Sequence, residues 1–287
     1  MKRYSEKLVE AGFFFSAAVS ASITFFILLF MIVFSLPLFK GGHVFQVLRL
    51  GWDPYEGTFG VLPMIVGTGI IASLALVFAA PFGVGCSALI SVFSRRGFGR
   101  FLRKIVEFMT GIPTVIYGFI AIFLLVPFIR EIFEKGTGMC VLSAAIMLAL
   151  LILPTIVLFL SDAFDGVPQE YLNAADVLGA SPCQKLIHVI IPSSWRMITS
   201  GMILAAGRAV GDTLISLMIA GNALQIPGAL SDSARTLTAH IALVMAADYE
   251  SPEFKCIFVC GLILFVFSLF IVQGMRMLGA GKVGEKR

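Results

Sequence analysis

The stretch that decides the fold is residues 167–222, VPQEYLNAADVLGASPCQKLIHVIIPSSWRMITSGMILAAGRAVGDTLISLMIAGN. Its first half is polar and rich in helix formers, and its second half is an apolar segment that carries Arg208 and Asp212 in its interior. Charged side chains inside an apolar span are costly and mark functional sites by default. We therefore interpret the rest of the chain as the scaffold that holds this stretch.

The composition is that of a membrane protein. Of 287 residues, 59% are hydrophobic and only 13% are charged, and the mean hydropathy is +0.98. Several uncharged runs exceed the roughly 20 apolar residues needed to cross a bilayer core. The sequence therefore predicts an all-α polytopic protein embedded in a lipid bilayer. The net charge of +4 is read as loop charge, with no nucleic acid as partner.

Six apolar runs define the expected transmembrane helices, at residues 11–39, 61–93, 105–129, 139–161, 197–226 and 256–275. The first run is too long for a cleaved signal peptide and is predicted to stay as a helix. We expect a first unit at 1–60 that ends in an outer loop, and a core at 61–279. A polar loop at 162–196 interrupts this core, and a short tail follows at 280–287.

The distribution of basic residues sets the expected orientation. Six spans place both termini, the loop between spans 2 and 3 and the loop between spans 4 and 5 on one side. That side holds 14 Lys and Arg residues, against six on the other. The positive-inside rule predicts a multi-pass protein of the cytoplasmic (inner) membrane, with both termini and loop 162–196 in the cytoplasm.

Loop 162–196 is predicted to dock onto another protein. Gly179 and Pro182 should divide it into two short helices, each with apolar residues near helical spacing. An amphipathic helix can also lie on the membrane, but this loop has only two basic residues against four acidic ones. A protein groove is therefore a better partner than anionic lipid.

Arg208 and Asp212 are spaced to lie on one face of a helix. One interpretation is an ion pair that helps helices to pack, aided by small residues at Gly207 and Gly211. The other is that Arg208 faces a polar pathway and meets an anion, because a guanidinium is always charged and can bond two oxyanion oxygens. Asp212 would hold it in place, and the substrate pathway would continue along Thr213 and Asn222 of the same span.

A possible gate lies at the start of the third span. Glu107 and Thr110 precede the segment Gly111-Ile112-Pro113. Glu107 is placed either in a salt bridge to the neighbouring basic cluster, through Arg103 or Lys104, or in gating or the substrate path.

The five cysteines and three histidines give no spacing typical of a metal site, and no metal or cofactor is expected. Residues 236–247 are apolar but too short to span, so they predict a re-entrant or interfacial helix on the outer side. Within it, His240 is expected to be a packed side chain and not a ligand.

Two motifs resemble known permeases. Asn173, Ala174 and Ala175, followed by Gly179 and an apolar run ending at Pro192, resemble the Glu-Ala-Ala loop of binding-protein-dependent importer permeases, with Asn173 in place of the usual Glu. The resemblance implies the type I ABC importer permease fold. It also implies that the loop, with Glu170 at the start of its first helix, couples to a cytoplasmic ATPase.

The segments GRAVGDT at 207–213, AGN at 220–222, GIPTVIYGF at 111–119 and WDPYEGTFGVLPMIVGT at 52–68 together resemble phosphate-specific (Pst) transport permeases, the C-type subunit in particular. The family's usual Glu is replaced here by Asp212. This resemblance implies a pore formed with an A-type permease, two ATPase subunits in the cytoplasm, an extracytoplasmic phosphate-binding protein and inorganic phosphate as substrate.

Several alternatives stay open at this point. The chain could be the A-type subunit, or a permease for another tetrahedral oxyanion such as sulfate or molybdate. A membrane enzyme is disfavoured by the absence of a catalytic constellation, and a channel by the docking loop. No nucleotide-binding G-x-x-x-x-G-K-[ST] motif occurs in the chain, so ATP hydrolysis is assigned to a separate subunit.

Overall fold

The computed structural model describes residues 2–39, 51–94, 97–134 and 136–279. Six of its helical segments are long and apolar enough to cross a membrane, which agrees with the sequence prediction. The spans, numbered 1 to 6 below, are Val9–Leu36, Leu62–Phe93, Thr114–Phe133, Val141–Asp165, Pro182–Gly211 and Pro252–Met277.

The regular elements follow one another in a simple order. The two strands of a hairpin, Trp52–Asp53 and Thr58–Phe59, pair antiparallel. In chain order the helices are α1 Lys2–Phe39, α2 Leu62–Ala88, α3 Phe98–Thr110, α4 Thr114–Ile120, α5 Val126–Phe133, α6 Val141–Asp165, α7 Gln169–Val177, α8 Pro182–Lys185, α9 Ile191–Gly211, α10 Leu214–Ile219, α11 Leu237–Val244 and α12 Pro252–Gly279. Short π-helical segments at Leu89–Phe93, Ala121–Leu125 and Leu186–Ile190 lie within or between them.

Span 4 is the centre of the bundle, and its side chains are largely buried. Span 2 packs closely along it. Gly83 lies so near Ile156 that a Cβ added at Gly83 would be 2.4 Å from a methyl carbon of Ile156. Hydroxyl groups join the spans: Ser87 Oγ donates to the Val157 carbonyl at 3.0 Å, and Ser194 Oγ in span 5 donates to the Ala163 carbonyl at 3.1 Å. Small residues and hydroxyls are typical of tightly packed transmembrane helices.

Span 1 lies at the edge of the bundle, with exposed phenylalanines along its length. It packs on span 6 through the rings of Phe30 and Phe34, whose centroids lie 5.7 and 5.1 Å from that of Phe258. Exposed apolar side chains of this kind are what a lipid environment requires.

Two of the predicted spans, the third and the fifth, had wrong boundaries. The third span begins at Thr114 and not at residue 105, because the turn at Gly111–Pro113 ends α3, leaving that strongly amphipathic helix separate. The fifth span was predicted at 197–226, but its helix begins at Pro182 and ends at Gly211.

Loop 162–196 is correspondingly shorter than predicted. Its first residues finish span 4, and α7 is its one separate helix, ended by Gly179 in the left-handed conformation at φ +76°. The second predicted helix begins at Pro182, with Ser181 as a capping-box residue, and runs directly into span 5. Pro192 follows the π-helical segment, consistent with a proline that has no N–H to donate to the preceding turn.

Candidate functional site

The site is built around residues 212–222, where the apolar run predicted at 197–226 departs from the helix that forms span 5; this departure is called the break in span 5. Helix α9 ends at Gly211, and Asp212 has the extended backbone angles φ −72° and ψ 128°. The Asp212 carboxylate accepts a hydrogen bond from the Ile215 N–H at 2.9 Å, and therefore caps the short helix α10. The Asp212 carbonyl accepts from Thr238 Oγ1 at 2.8 Å. The expectation that Arg208 and Asp212 share one continuous helix face was therefore wrong.

Arg208 is exposed on the last turn of α9. Its Nη1 donates to Thr155 Oγ1 in span 4 at 2.7 Å. Within the described residues it has no carboxylate within 4.0 Å, so Asp212 is not in ion-pair contact with it. The buried ring of Tyr117, in span 3, lies within electrostatic range of the guanidinium. The result is a positive charge, held by a hydroxyl, on the surface of an apolar span.

Asn222 forms the far end of the break. Its backbone is left-handed at φ +60°, and its Nδ2 donates to the Leu217 carbonyl at 2.7 Å. Its N–H donates to the Ala234 carbonyl at 3.1 Å. Thr213, at the start of α10, is partly buried. Asn222 thus finishes the short helix and joins it to the segment before α11.

Arg235 lies beside Asn222 and was counted in the sequence only as loop charge. Its Nε donates to the Asn222 carbonyl at 3.0 Å, and its Nη1 lies 3.4 Å from His240 Nδ1. His240 is fully buried, with its ring edge-to-face at 4.2 Å from that of Trp52 in the hairpin. These residues lie outside the six spans. Burial and the neighbouring Arg235 lower the pKa of His240 to about 4, and burial also lowers the pKa of Arg235.

The residues of the possible gate lie on α3 and at its end. Glu107 pairs with Arg103 Nε at 3.3 Å, which is the salt bridge that the sequence offered as the alternative to gating. Thr110 Oγ1 donates to the Glu107 carbonyl at 2.7 Å, and Pro113 precedes the first turn of span 3.

The Arg103 guanidinium also reaches the end of span 4. It bonds Asp162 at 2.7 Å and Asp165 at 3.4 Å, so one side chain joins three carboxylates. These bonds raise the pKa of Arg103, with the hydrogen bond to Asp162 as the largest cause. The structure therefore links Glu107, through Arg103, to the end of span 4.

Helix α7 packs on the bundle with one face and exposes the other. Leu172 and Ala175 are buried against the bundle, while Glu170, Asn173 and Ala174 are exposed. Asn173 Oδ1 accepts from Gln169 Nε2 at 3.1 Å. The side chains of Tyr171, Val177 and Leu178 are 55%, 88% and 85% exposed, so this part of the chain exposes apolar surface.

The sequence model of the binding-protein-dependent transport system inner membrane component family matches residues 79–281. The chain belongs to this family. It is therefore a transport component of a binding-protein-dependent system, and a multi-pass membrane protein.

Individual members of the family are similar over most of their length. A probable ABC transporter permease protein, YqgH of Bacillus subtilis, is 32% identical over 80% of this chain and 76% of its own. The phosphate transport system permease protein PstC of Mesorhizobium japonicum is 30% identical, covering 78% and 75%.

Solved structures show the same fold at lower identity. An inward-facing methionine ABC transporter, MetNI, matches with a TM-score of 0.58 at 17% identity, over 76% of this chain and 95% of that one. A bacterial alginate ABC transporter matches with a TM-score of 0.57 at 14% identity, covering 89% and 93%. The fold is that of the type I importer permeases.

Sequence reasoning missed two contacts of this permease. Thr155 follows Pro154 in the middle of span 4 and carried no separate signal in the sequence. Arg235 could have been found, since a charged residue directly before the short apolar segment 236–247 must lie near whatever covers that segment.

Proposed function

We propose that this chain is the membrane-spanning subunit of an ATP-driven importer of inorganic phosphate, in the role of the C-type permease. Several relatives named PstC, at 25–30% identity over most of the chain, support the substrate. The observation that carries the proposal is Arg208, an exposed guanidinium on an apolar span whose one partner among the described residues is a hydroxyl. A polyoxygen anion is the ligand that such a group binds best.

The substrate pathway consists of Arg208, Thr213 and Asn222 along the break in span 5. Asp212 shapes the pathway by capping α10, and its charge lies near enough to moderate the affinity of Arg208. Without such moderation an anion bound in a low-dielectric site would leave slowly.

The coupling surface is the exposed face of α7, with Glu170, Asn173 and Ala174, while Ala175 anchors the helix and Gly179 ends it. Pro192 lies farther on, in the helix that continues into span 5. Two ATPase subunits hydrolyse ATP and push on this surface, a second permease of the A-type completes the pore, and a phosphate-binding protein delivers the anion. Both termini are cytoplasmic, on the basic-residue distribution described above.

Glu107, Thr110 and Pro113 act in this scheme as a joint between the coupling surface and span 3, since Arg103 ties α3 to the end of span 4. The functional core is residues 61–279, the range that the family match largely fills.

The test is phosphate uptake into vesicles that contain the assembled complex with its cognate subunits. Arg208→Gln should reduce uptake by about tenfold or more, because a charged bidentate donor is lost. Arg130→Gln serves as a matched control, since Arg130 is exposed and lies in none of these surfaces. Wild-type vesicles that accumulate sulfate or molybdate and ignore phosphate would contradict the substrate, and equal uptake by the two variants would contradict the role of Arg208.

A further inference from the structure

Among the residues that the structure describes, none supplies a counter-charge to Arg235. Its guanidinium bonds the Asn222 carbonyl and His240 Nδ1, and neither acceptor is an anion. Within the described part of the chain no Asp or Glu lies within 4.0 Å of it. Arg103, by contrast, is shared by three carboxylates. A partly buried charge without an opposite charge is unfavourable unless a ligand supplies one.

The backbone around Arg235 is fixed onto the break in span 5. The Leu237 N–H donates to Thr68 Oγ1 in span 2 at 2.9 Å, and Thr238 Oγ1 donates to the Asp212 carbonyl at 2.8 Å. Arg208 precedes the break along the chain, and Arg235 contacts Asn222 after it. Two arginines without carboxylate partners therefore flank one irregular segment of an apolar span.

The same cluster holds two buried polar atoms without a hydrogen-bond partner among the described residues, Asn222 Oδ1 and His240 Nε2. The ring is neutral near pH 7, because its pKa is lowered to about 4 by burial and by Arg235. Since Nδ1 faces a donor, the proton is assigned to Nε2. The cluster thus offers one free acceptor and one free donor beside a cation. Hydrogen phosphate matches both atoms in kind, because it accepts through its oxyanion oxygens and donates through its P–OH group.

We propose that Arg235 is a second anion-binding contact, a station at the hairpin end of the bundle that holds the oxyanion before it reaches Arg208. The identity of the anion as phosphate rests on the proposed function. Trp52 covers His240 in the structure, so the anion reaches the inner atoms of the station when the hairpin moves off that ring. Arg235 itself is only partly buried and is the first group that the anion meets.

Trp52 provides the measurement, because the chain has only two tryptophans. In a Trp195→Phe background, inorganic phosphate is titrated into the full chain in lipid nanodiscs while Trp52 fluorescence is followed. We expect a saturable change in this parent and in Arg130→Gln, a control that removes an exposed arginine outside the proposed pathway. In Arg235→Gln the apparent Kd should rise by about tenfold or more.

Two further variants keep the test decisive if Arg235→Gln fails to fold. Arg235→Lys keeps the charge and loses the planar fork, and should bind with intermediate affinity. Asn222→Asp adds a negative charge beside the guanidinium with almost no change in size. Aspartate also tolerates the left-handed backbone found there, although it loses the bond from Asn222 Nδ2 to the Leu217 carbonyl. Folded Asn222→Asp should bind phosphate weakly.

The proposal is overturned if folded Arg235→Gln or Asn222→Asp binds phosphate within about twofold of the parent. The same measurements distinguish failure of the station from failure of the proposed function. If sulfate, and not phosphate, gives a response that depends on Arg235, the station stands and the phosphate assignment fails. If the assembled complex takes up phosphate and Arg235→Gln changes neither titration nor uptake, the station fails and the phosphate assignment stands.

Discussion

Replacing Gly67 by alanine should destabilise the protein at the point where span 2 supports Arg235. A Cβ at Gly67 would lie 2.5 Å from the Arg235 carbonyl oxygen and 3.3 Å from its carbonyl carbon. Ordinary van der Waals contact begins near 3.4 Å, so the backbone segment would have to move by about 0.9 Å, the difference between those distances. Both partners are backbone, and no flexible side chain can give way. Such overpacking costs about 1–3 kcal/mol.

Gly69→Ala is the matched control in the same helix. A Cβ there meets nothing within 4 Å. The change should stabilise α2 by about 0.5–1 kcal/mol, since alanine loses less conformational freedom than glycine on entering a helix. The two substitutions are chemically identical and differ only in what the new methyl group contacts. They should therefore have opposite effects on stability.

The assay is thermal unfolding of the assembled complex in nanodiscs, followed by phosphate uptake at a temperature where both variants are folded. With the scaling of soluble domains, about 2–4 °C per kcal/mol, Gly67→Ala should lower Tm by roughly 2–12 °C. Uptake should fall as well, because the shift displaces the segment from which Arg235 Nε bonds the Asn222 carbonyl. The reasoning is refuted if Gly67→Ala melts at or above Gly69→Ala, since the close approach would then be absent in the folded protein.

Three further predictions concern single side chains. Thr155→Val removes the acceptor of the 2.7 Å bond from Arg208 at nearly constant volume. It should reduce phosphate uptake by about fivefold, which corresponds to the loss of roughly 1 kcal/mol for one hydrogen bond. Uptake as low as in Arg208→Gln would show that Thr155 does more than hold the guanidinium. Leu178→Asp places a charge on the exposed face after α7, and should abolish co-purification of the ATPase subunits while leaving the permease folded; unchanged co-purification would remove Leu178 from the docking surface. His240 has a pKa of about 4 in the folded chain, against an ordinary value of 6.5. Between these two pH values the imidazole is protonated in the unfolded chain and neutral in the folded one, so the stability of the fold decreases as the pH drops from about 6.5 to 4. His240→Asn should therefore show a smaller loss of Tm between pH 7 and pH 4.5 than the wild type, with no difference in slope above pH 7.

The number of spans was predictable because it depends on composition alone. Each of the six runs is longer than a bilayer requires, and length and hydropathy do not depend on contacts between spans. The end of α7 at Gly179 was also predictable, because glycine readily adopts the left-handed backbone found there and other residues avoid it.

The ends of spans 3 and 5 were not predictable from hydropathy, which continues without interruption through both breaks. The turn at Gly111–Pro113 is held by local backbone bonds to Phe108 and Met109, and the extended backbone at Asp212 has a carbonyl that is satisfied from a distant part of the chain. Thr238, which bonds Asp212, is 26 residues away, and Thr155, which bonds Arg208, is 53 residues away. Pairing Arg208 with Asp212 followed from assuming an uninterrupted helix, and that assumption was wrong.

The break in span 5 is specified by the sequence, which supplies side chains that bond the backbone groups left free at the break. An unsatisfied backbone group at bilayer depth costs several kcal/mol, so a break survives only where side chains satisfy it. Here the Asp212 carboxylate accepts from Ile215, Thr238 bonds the Asp212 carbonyl, and Asn222 Nδ2 bonds the Leu217 carbonyl. An uninterrupted helix would need none of these three side chains.

The capping geometry also explains the aspartate at position 212, where the phosphate permeases that the segment resembles usually have glutamate. A capping side chain accepts a hydrogen bond from the backbone N–H two or three residues further along the chain. Aspartate is preferred at this position because its short side chain places the carboxylate directly at that N–H. If Asp212 served mainly as an ion partner of Arg208, the shorter side chain would weaken the pair. As a cap it holds α10 in place and leaves the guanidinium without a carboxylate in contact. The break therefore keeps Arg208 and Asp212 of the GRAVGDT motif out of ion-pair contact, as the proposed binding of an anion by Arg208 requires.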